Sequence, residues 1–140
     1  MGWERTYDEI AVSEAVAELG KPVIGFVPKE WLSDTANIAL INQYGDVCLF
    51  EASDQIGLYT GHWFFYSRGK TALEEAKKVG DKIFNQLDFK VLRGLTPLYQ
   101  LGARWLARKV GFTSYGVVHT SVDICELFIL TKEEWNKKYE

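Results

Sequence analysis

The chain has 140 residues, of which 47% are apolar, 25% charged and 14% aromatic, with five Trp. That length suits one globular domain with a buried core, and the composition excludes a disordered chain. No apolar run reaches the roughly 20 residues that span a bilayer, and Met1-Gly2-Trp3-Glu4-Arg5 lacks the regions of a signal peptide, so a cytoplasmic protein without membrane attachment is expected.

Net charge is −3, with 3 basic and 10 acidic residues in 1–66 against 13 and 9 in 67–140, which together make the 16 and 19 of the whole chain. The asymmetry is too small for a nucleic-acid binder and is compatible with an anionic small ligand in the C-terminal half.

Tyr7 to Leu19 reads as a helix stopped by Gly20 with Pro22 beyond it. Val23 to Val27 is a short β-prone run ended by Pro28, and Lys29 to Leu32 suits one helical turn. Three β-like runs follow, Ile38–Gln43, Val47–Glu51 and Leu58–Tyr66. Short Gly-containing turns join them, which favours an antiparallel meander. Gly61 inside the third run predicts a bulge or a close backbone approach.

From Thr71 to Leu87 the period becomes 3.6, with Leu73, Ala76, Val79, Ile83, Phe84 and Leu87 on one face and Glu75 among the polar residues elsewhere. Phe89 to Arg93 reads as a strand. Thr96-Pro97 then reads as an N-cap and first helical position, opening a helix to Val110 that Gly111 ends. Phe112–Val118 and Ile124–Leu130 predict a closing hairpin. Cys48 and Cys125 lie in apolar runs without metal-ligand spacing, so buried thiols are expected. The whole predicts an α/β (α+β) domain over 1–140: a mixed, mostly antiparallel sheet flanked by helices, with one strand-helix-strand crossover.

The helix before Gly111-Phe112 resembles a pattern of the GNAT (GCN5-related N-acetyltransferase) superfamily, N-x-x-A-x-x-L-Y-x-K-x-G-F. Ala103, Leu106, Lys109, Gly111 and Phe112 match; Gln100 stands at the Asn position and Ala107 at the Tyr position. Arg93–Phe112, Gly61–Phe65 and Cys125–Thr131 are also similar to small GNAT-like proteins of tailed phages, some of them head-assembly or internal virion proteins. The resemblance covers residues 37–131, the core, and leaves 1–36 as an N-terminal helical part.

This resemblance implies acetyl-CoA or CoA as cofactor, an amine or protein acceptor, and a cytoplasmic or virion setting among other phage proteins. It implies that the loop Phe65-Tyr66-Ser67-Arg68-Gly69-Lys70-Thr71-Ala72 cradles a pyrophosphate on backbone N–H groups at a helix start, with Gln100 and Arg104 on the next helix beside the cofactor. Arg68 and Lys70 add positive charge there, whereas Thr71 and Glu74 form a T-x-x-E pattern that predicts a capping box on the same donors.

Direct attack of an amine on a thioester needs a base and an acid for the thiolate. The candidate bases are His62 in the long strand and, nearby in the meander, Glu51 or Asp54; Ala107 in the Tyr position has no proton to give. No metal-ligand arrangement is visible. Loss of that acid supports a second reading, a catalytically degenerate GNAT-fold phage virion or head-assembly protein.

Overall fold

In the computed structural model, which describes residues 2–19, 28–121 and 123–139, the chain starts on a sheet edge. Glu4–Arg5 (β1) lies antiparallel opposite Ile41 and Leu40. Trp3 fixes it there: its indole is 4% exposed and donates from Nε1 to the carbonyl of Glu75 at 3.1 Å. Two residues are too few to carry a strand signal in the sequence.

Asp8 caps α1 (Glu9–Leu19), its Oδ1 accepting from the backbone N–H of Ile10 and Ala11. The expected stop at Gly20 and Pro22 and the run Val23–Val27 lie outside the described residues. α2 (Pro28–Ser33) opens on proline, whose missing N–H costs nothing at a helix start. Both helices cover one sheet face, where Val12, Ala15, Val16 and Leu32 pack on Ala39, Val47 and Leu49.

The meander forms as expected, with β2 (Ile38–Ile41), β3 (Val47–Ala52) and β4 (Leu58–Phe64). α3 (Gly69–Asp81) then crosses to β5 (Val91–Pro97), which runs parallel to β4. α4 (Leu101–Val110) leads to the antiparallel pair β6 (Thr113–His119) and β7 (Ile124–Thr131), and α5 (Lys132–Tyr139) closes the described chain. The sheet order is β1-β2-β3-β4-β5-β7-β6, a mixed and mostly antiparallel sheet with helices on both faces, as the sequence predicts.

The main core fills the α3 face, where Phe50, Ile83, Phe84, Phe89, Leu92 and Trp135 are almost fully buried. Each such aliphatic or Phe side chain contributes roughly 1.5–3 kcal/mol. Gly61 sits in this core opposite Phe50; a Cβ there would lie 2.9 Å from Leu92 Cδ1 and 3.2 Å from Phe50 Cε1, so side chains rather than the expected bulge or neighbouring backbone crowd this glycine. Cys48 and Cys125 are both buried, and burial pushes the Cys48 thiol up. Among the described residues no helix is long and apolar enough to cross a membrane.

Three local expectations need correction. α3 continues into a π-helical turn over Lys82–Gln86, and the extra residue rotates Leu87 off the apolar face to 38% exposure. Thr96-Pro97 do not open a helix: β7 pairs along the whole of Val91–Pro97, ending at Pro97 opposite Cys125, and Gln100 takes the N-cap position instead. Glu75, read as polar surface, is 2% exposed.

Candidate functional site

β4 and β5 are in register for three rungs only, Leu58–Val91, Tyr59–Leu92 and Thr60–Arg93. Beyond Thr60 and Arg93 the strands part. β4 keeps β3 as its partner through Phe64, and β5 keeps β7 through Pro97, so each inner edge leaves the other. At the vertex Arg93 Nε donates to Thr60 Oγ1 at 2.9 Å, and a Cβ on Gly94 would sit 3.4 Å from the carbonyl oxygen of Gly61. Backbone groups at the carboxyl ends of parallel strands are thus opened to a ligand, a setting that open α/β sheets use repeatedly.

The open end of β4 runs straight into the start of α3. Arg68 is the N-cap, in extended conformation, and Gly69 follows with φ +57, a left-handed value that favours glycine. The first intrahelical bond there is Ala72 N–H to the Arg68 carbonyl at 3.3 Å, so Gly69, Lys70 and Thr71 present N–H groups without intrahelical partners. Among the described residues no side chain caps them. The capping box expected from Thr71 and Glu74 is therefore absent: the helix begins two residues earlier, which puts Thr71 within its first turn. Glu74 instead stands 4.0 Å from exposed Lys70.

The other loop residues are engaged differently. Phe65 is buried and stacks between Trp3 and Trp63, with centroids 5.6 and 5.5 Å away. Ala72 is buried in the same core. The N–H groups of Tyr66 and Ser67 and the Ser67 hydroxyl all donate to Asp46. The Arg68 guanidinium folds back onto the carbonyls of Phe65 and Ser67. Burial, with the Glu18 carboxylate of α1 nearby, raises the phenol pKa of Tyr66.

On α4, Gln100 stands at the N-cap beside the end of β5. Arg104 turns inward: its Nε reaches Glu126 Oε1 at 2.8 Å and its NH1 group reaches the Leu98 carbonyl at 3.1 Å. Arg108 and Ser114 donate to the other oxygen of the same carboxylate. Both arginines thus fasten α4 to β7, and the Arg104 guanidinium, expected beside the cofactor, is engaged by Glu126 and Leu98. Ala107 is partly buried on α4, where its carbonyl accepts from Gly111 and Phe112.

His62 lies on the face of β4 that α1 and α2 cover, in register with Leu49 and one alternation from the Glu51–Thr60 rung. It is partly buried. Burial lowers its pKa below the usual 6.5, against the Glu51 carboxylate that raises it, so the ring is neutral at pH 7 and able to accept a proton. Glu51 is held by Trp31 of α2, whose Nε1 donates to Oε1 at 3.1 Å. Among the described residues no cluster of His, Cys, Asp and Glu has the makings of a metal site. Asp54 lies in the β3–β4 turn, away from this row.

This donor set fits a pyrophosphate arm: uncapped helix N–H groups, a left-handed glycine with open space where a side chain would stand, and a parted strand pair leading to them. No protein-family model and no curated protein matches the chain. Solved structures do. Aminoglycoside acetyltransferase AAC(6')-Ib in complex with coenzyme A superposes with a TM-score of 0.72 at 13% identity, over 99% of each chain. Spermidine N-acetyltransferase SpeG from Vibrio cholerae superposes with a TM-score of 0.78 at 9% identity, over 100% of each chain. The chain shares its fold with these two acetyltransferases.

Proposed function

We propose that the protein binds acyl-CoA and transfers its acetyl group to an amine. What carries the reading is the junction just described, where β4 and β5 part and open onto the uncapped start of α3. In this reading the N–H groups of Gly69, Lys70 and Thr71 meet the pyrophosphate, with Lys70 adding charge, and the chain from Phe65 to Arg68 with Ala72 frames them. Gln100 borders the arm that runs between the strands.

Acyl-CoA supplies a thioester carbonyl; as the amine nitrogen bonds to that carbon, the carbon–sulfur bond breaks. His62 takes a proton from the amine, with Glu51 stabilising the charged ring. Ala107 has no proton for the leaving thiolate, so water supplies it and turnover is slower than with a tyrosine there.

A second reading rests on that alanine and on the likeness of Gly61–Phe65 and Arg93–Phe112 to phage proteins: the fold serves as a virion or head-assembly component in the host cytoplasm. Calorimetric titration with CoA tests the first reading. Saturable heat is expected, and its absence at millimolar ligand contradicts it. Release of free thiol from acetyl-CoA with a panel of amines then separates transfer from binding alone.

A further inference from the structure

The turn between β2 and β3 carries a buried carboxylate that neither the core nor the catalytic chemistry requires. Asp46 is fully buried, yet among the described residues its hydrogen-bond partners are all uncharged. Its Oδ1 accepts from the N–H groups of Tyr66 at 2.6 Å and Ser67 at 3.0 Å, and its Oδ2 accepts from the Ser67 hydroxyl at 2.6 Å and from Asn42 Nδ2 at 3.0 Å. Four donors on one carboxylate satisfy its lone pairs without a counter-charge.

Asn42 extends the link. Its side-chain oxygen accepts from the N–H groups of Tyr44 and Asp46, shaping the turn from inside, and the same Nδ2 donates to Glu75 Oε1 at 2.8 Å. Glu75 lies on the second turn of α3, and its other oxygen takes Lys78 at 2.9 Å. The loop that enters α3 and the second turn of that helix are therefore both tied to one β-turn. With both ends of the 66–75 segment fixed, the direction of the N–H groups at 69–71 is fixed as well.

We propose that Asp46 is a positioning residue for the cofactor: it never touches the ligand but holds Tyr66 and Ser67 so that the N–H groups of Gly69, Lys70 and Thr71 converge on one phosphate position. This rests on the acyl-CoA reading. It also restricts the ligand, because the amides of 66 and 67 are already occupied and the anion must seat on the helix start alone.

Charge and position make opposite predictions, which makes the proposal testable. Removing a negative charge behind a phosphate site strengthens anion binding on Coulombic grounds. If Asp46 instead orients the loop, Asp46→Asn, which sets an amide N–H group against Asn42 Nδ2, weakens CoA binding by about tenfold. The measurement is the CoA dissociation constant by calorimetry, with thermal unfolding to confirm a cooperative fold and amide exchange at Tyr66 and Ser67, which rises in the variant. Binding that is unchanged or tighter in a folded variant overturns the proposal while leaving the functional reading intact; wild-type protein that binds no CoA overturns both. Should Asp46→Asn not fold, Ser67→Ala removes one of the four bonds: roughly threefold weaker binding is expected, and wild-type affinity overturns the proposal.

Discussion

Arg93 donates to the hydroxyl of Thr60 at 2.9 Å on the last rung that β4 and β5 share, so the point where the sheet opens is clasped by a side-chain bond. Thr60→Val keeps the β-branched shape and deletes the acceptor. With Arg93 largely in solvent, the expected loss by urea unfolding is about 0.5–1 kcal/mol.

Glu126 holds α4 to β7. Burial raises its carboxyl pKa, but Ser114, Arg104 and Arg108 together lower it further, and it settles at about 2 against an ordinary 4.5. The unfolded chain takes up this proton near 4.5 and the native state only near 2. The stabilisation is therefore complete above 4.5 and is lost as pH falls through that window. Glu126→Gln is expected to cost about 2 kcal/mol at pH 7, less than for a fully buried pair because both arginines keep some solvent. Urea unfolding between pH 7 and pH 3 checks both: the variant starts lower and declines less steeply.

Gly80 of α3 faces Trp135 of α5. A Cβ at position 80 would lie 2.3 Å from Trp135 Cη2 and within 2.7 Å of two further ring carbons. Trp135 is 2% exposed and stacked on Phe84, so it has little room to yield. Helix propensity alone would favour Gly80→Ala by about 1 kcal/mol, whereas overpacking of this kind costs about 1–3 kcal/mol. A net loss of about 1 kcal/mol is expected, read as a lower melting temperature.

As the proposed base, His62 must be neutral to accept a proton, and its pKa lies below 6.5 because burial outweighs the attraction of Glu51. Activity is therefore expected to fall only at pH below that value. His62→Gln is expected to lower kcat by roughly a hundredfold and to remove this acidic limb, with the CoA dissociation constant unchanged. A pH profile of thiol release for both proteins is the check.

Much of the fold is legible in the sequence because its signals are local. The meander follows from β-prone runs between glycine turns, and the α3 crossover from a clean 3.6-residue period. The misreadings share a cause, which is that tertiary partners decide between local alternatives. Thr71-x-x-Glu74 and Thr131-x-x-Glu134 carry the same pattern, yet only the second forms a capping box, with Glu134 N–H on Thr131 Oγ1 and Thr131 N–H on Glu134 Oε1, both at 3.1 Å. That box starts α5, which the reading missed although its signal was present.

Glu75 misled for a similar reason. An acidic residue in an amphipathic helix reads as surface, and nothing local shows that Asn42, thirty-three residues earlier, meets it in the core. The loop at Gly69 was found by resemblance, but the carboxylate that holds it belongs to a turn with no motif of its own. Contacts between segments distant in sequence are invisible to spacing rules.

The central claim is that the start of α3 receives the cofactor's phosphates, and Thr71→Asp tests it most directly. A carboxylate in the first helical turn favours the helix dipole, so the variant is expected to melt at or above the wild-type temperature. The same charge repels a phosphate seated on the N–H groups of 69–71. The prediction is a CoA affinity at least about tenfold weaker with stability retained; equal affinity for CoA in the two proteins would contradict the account.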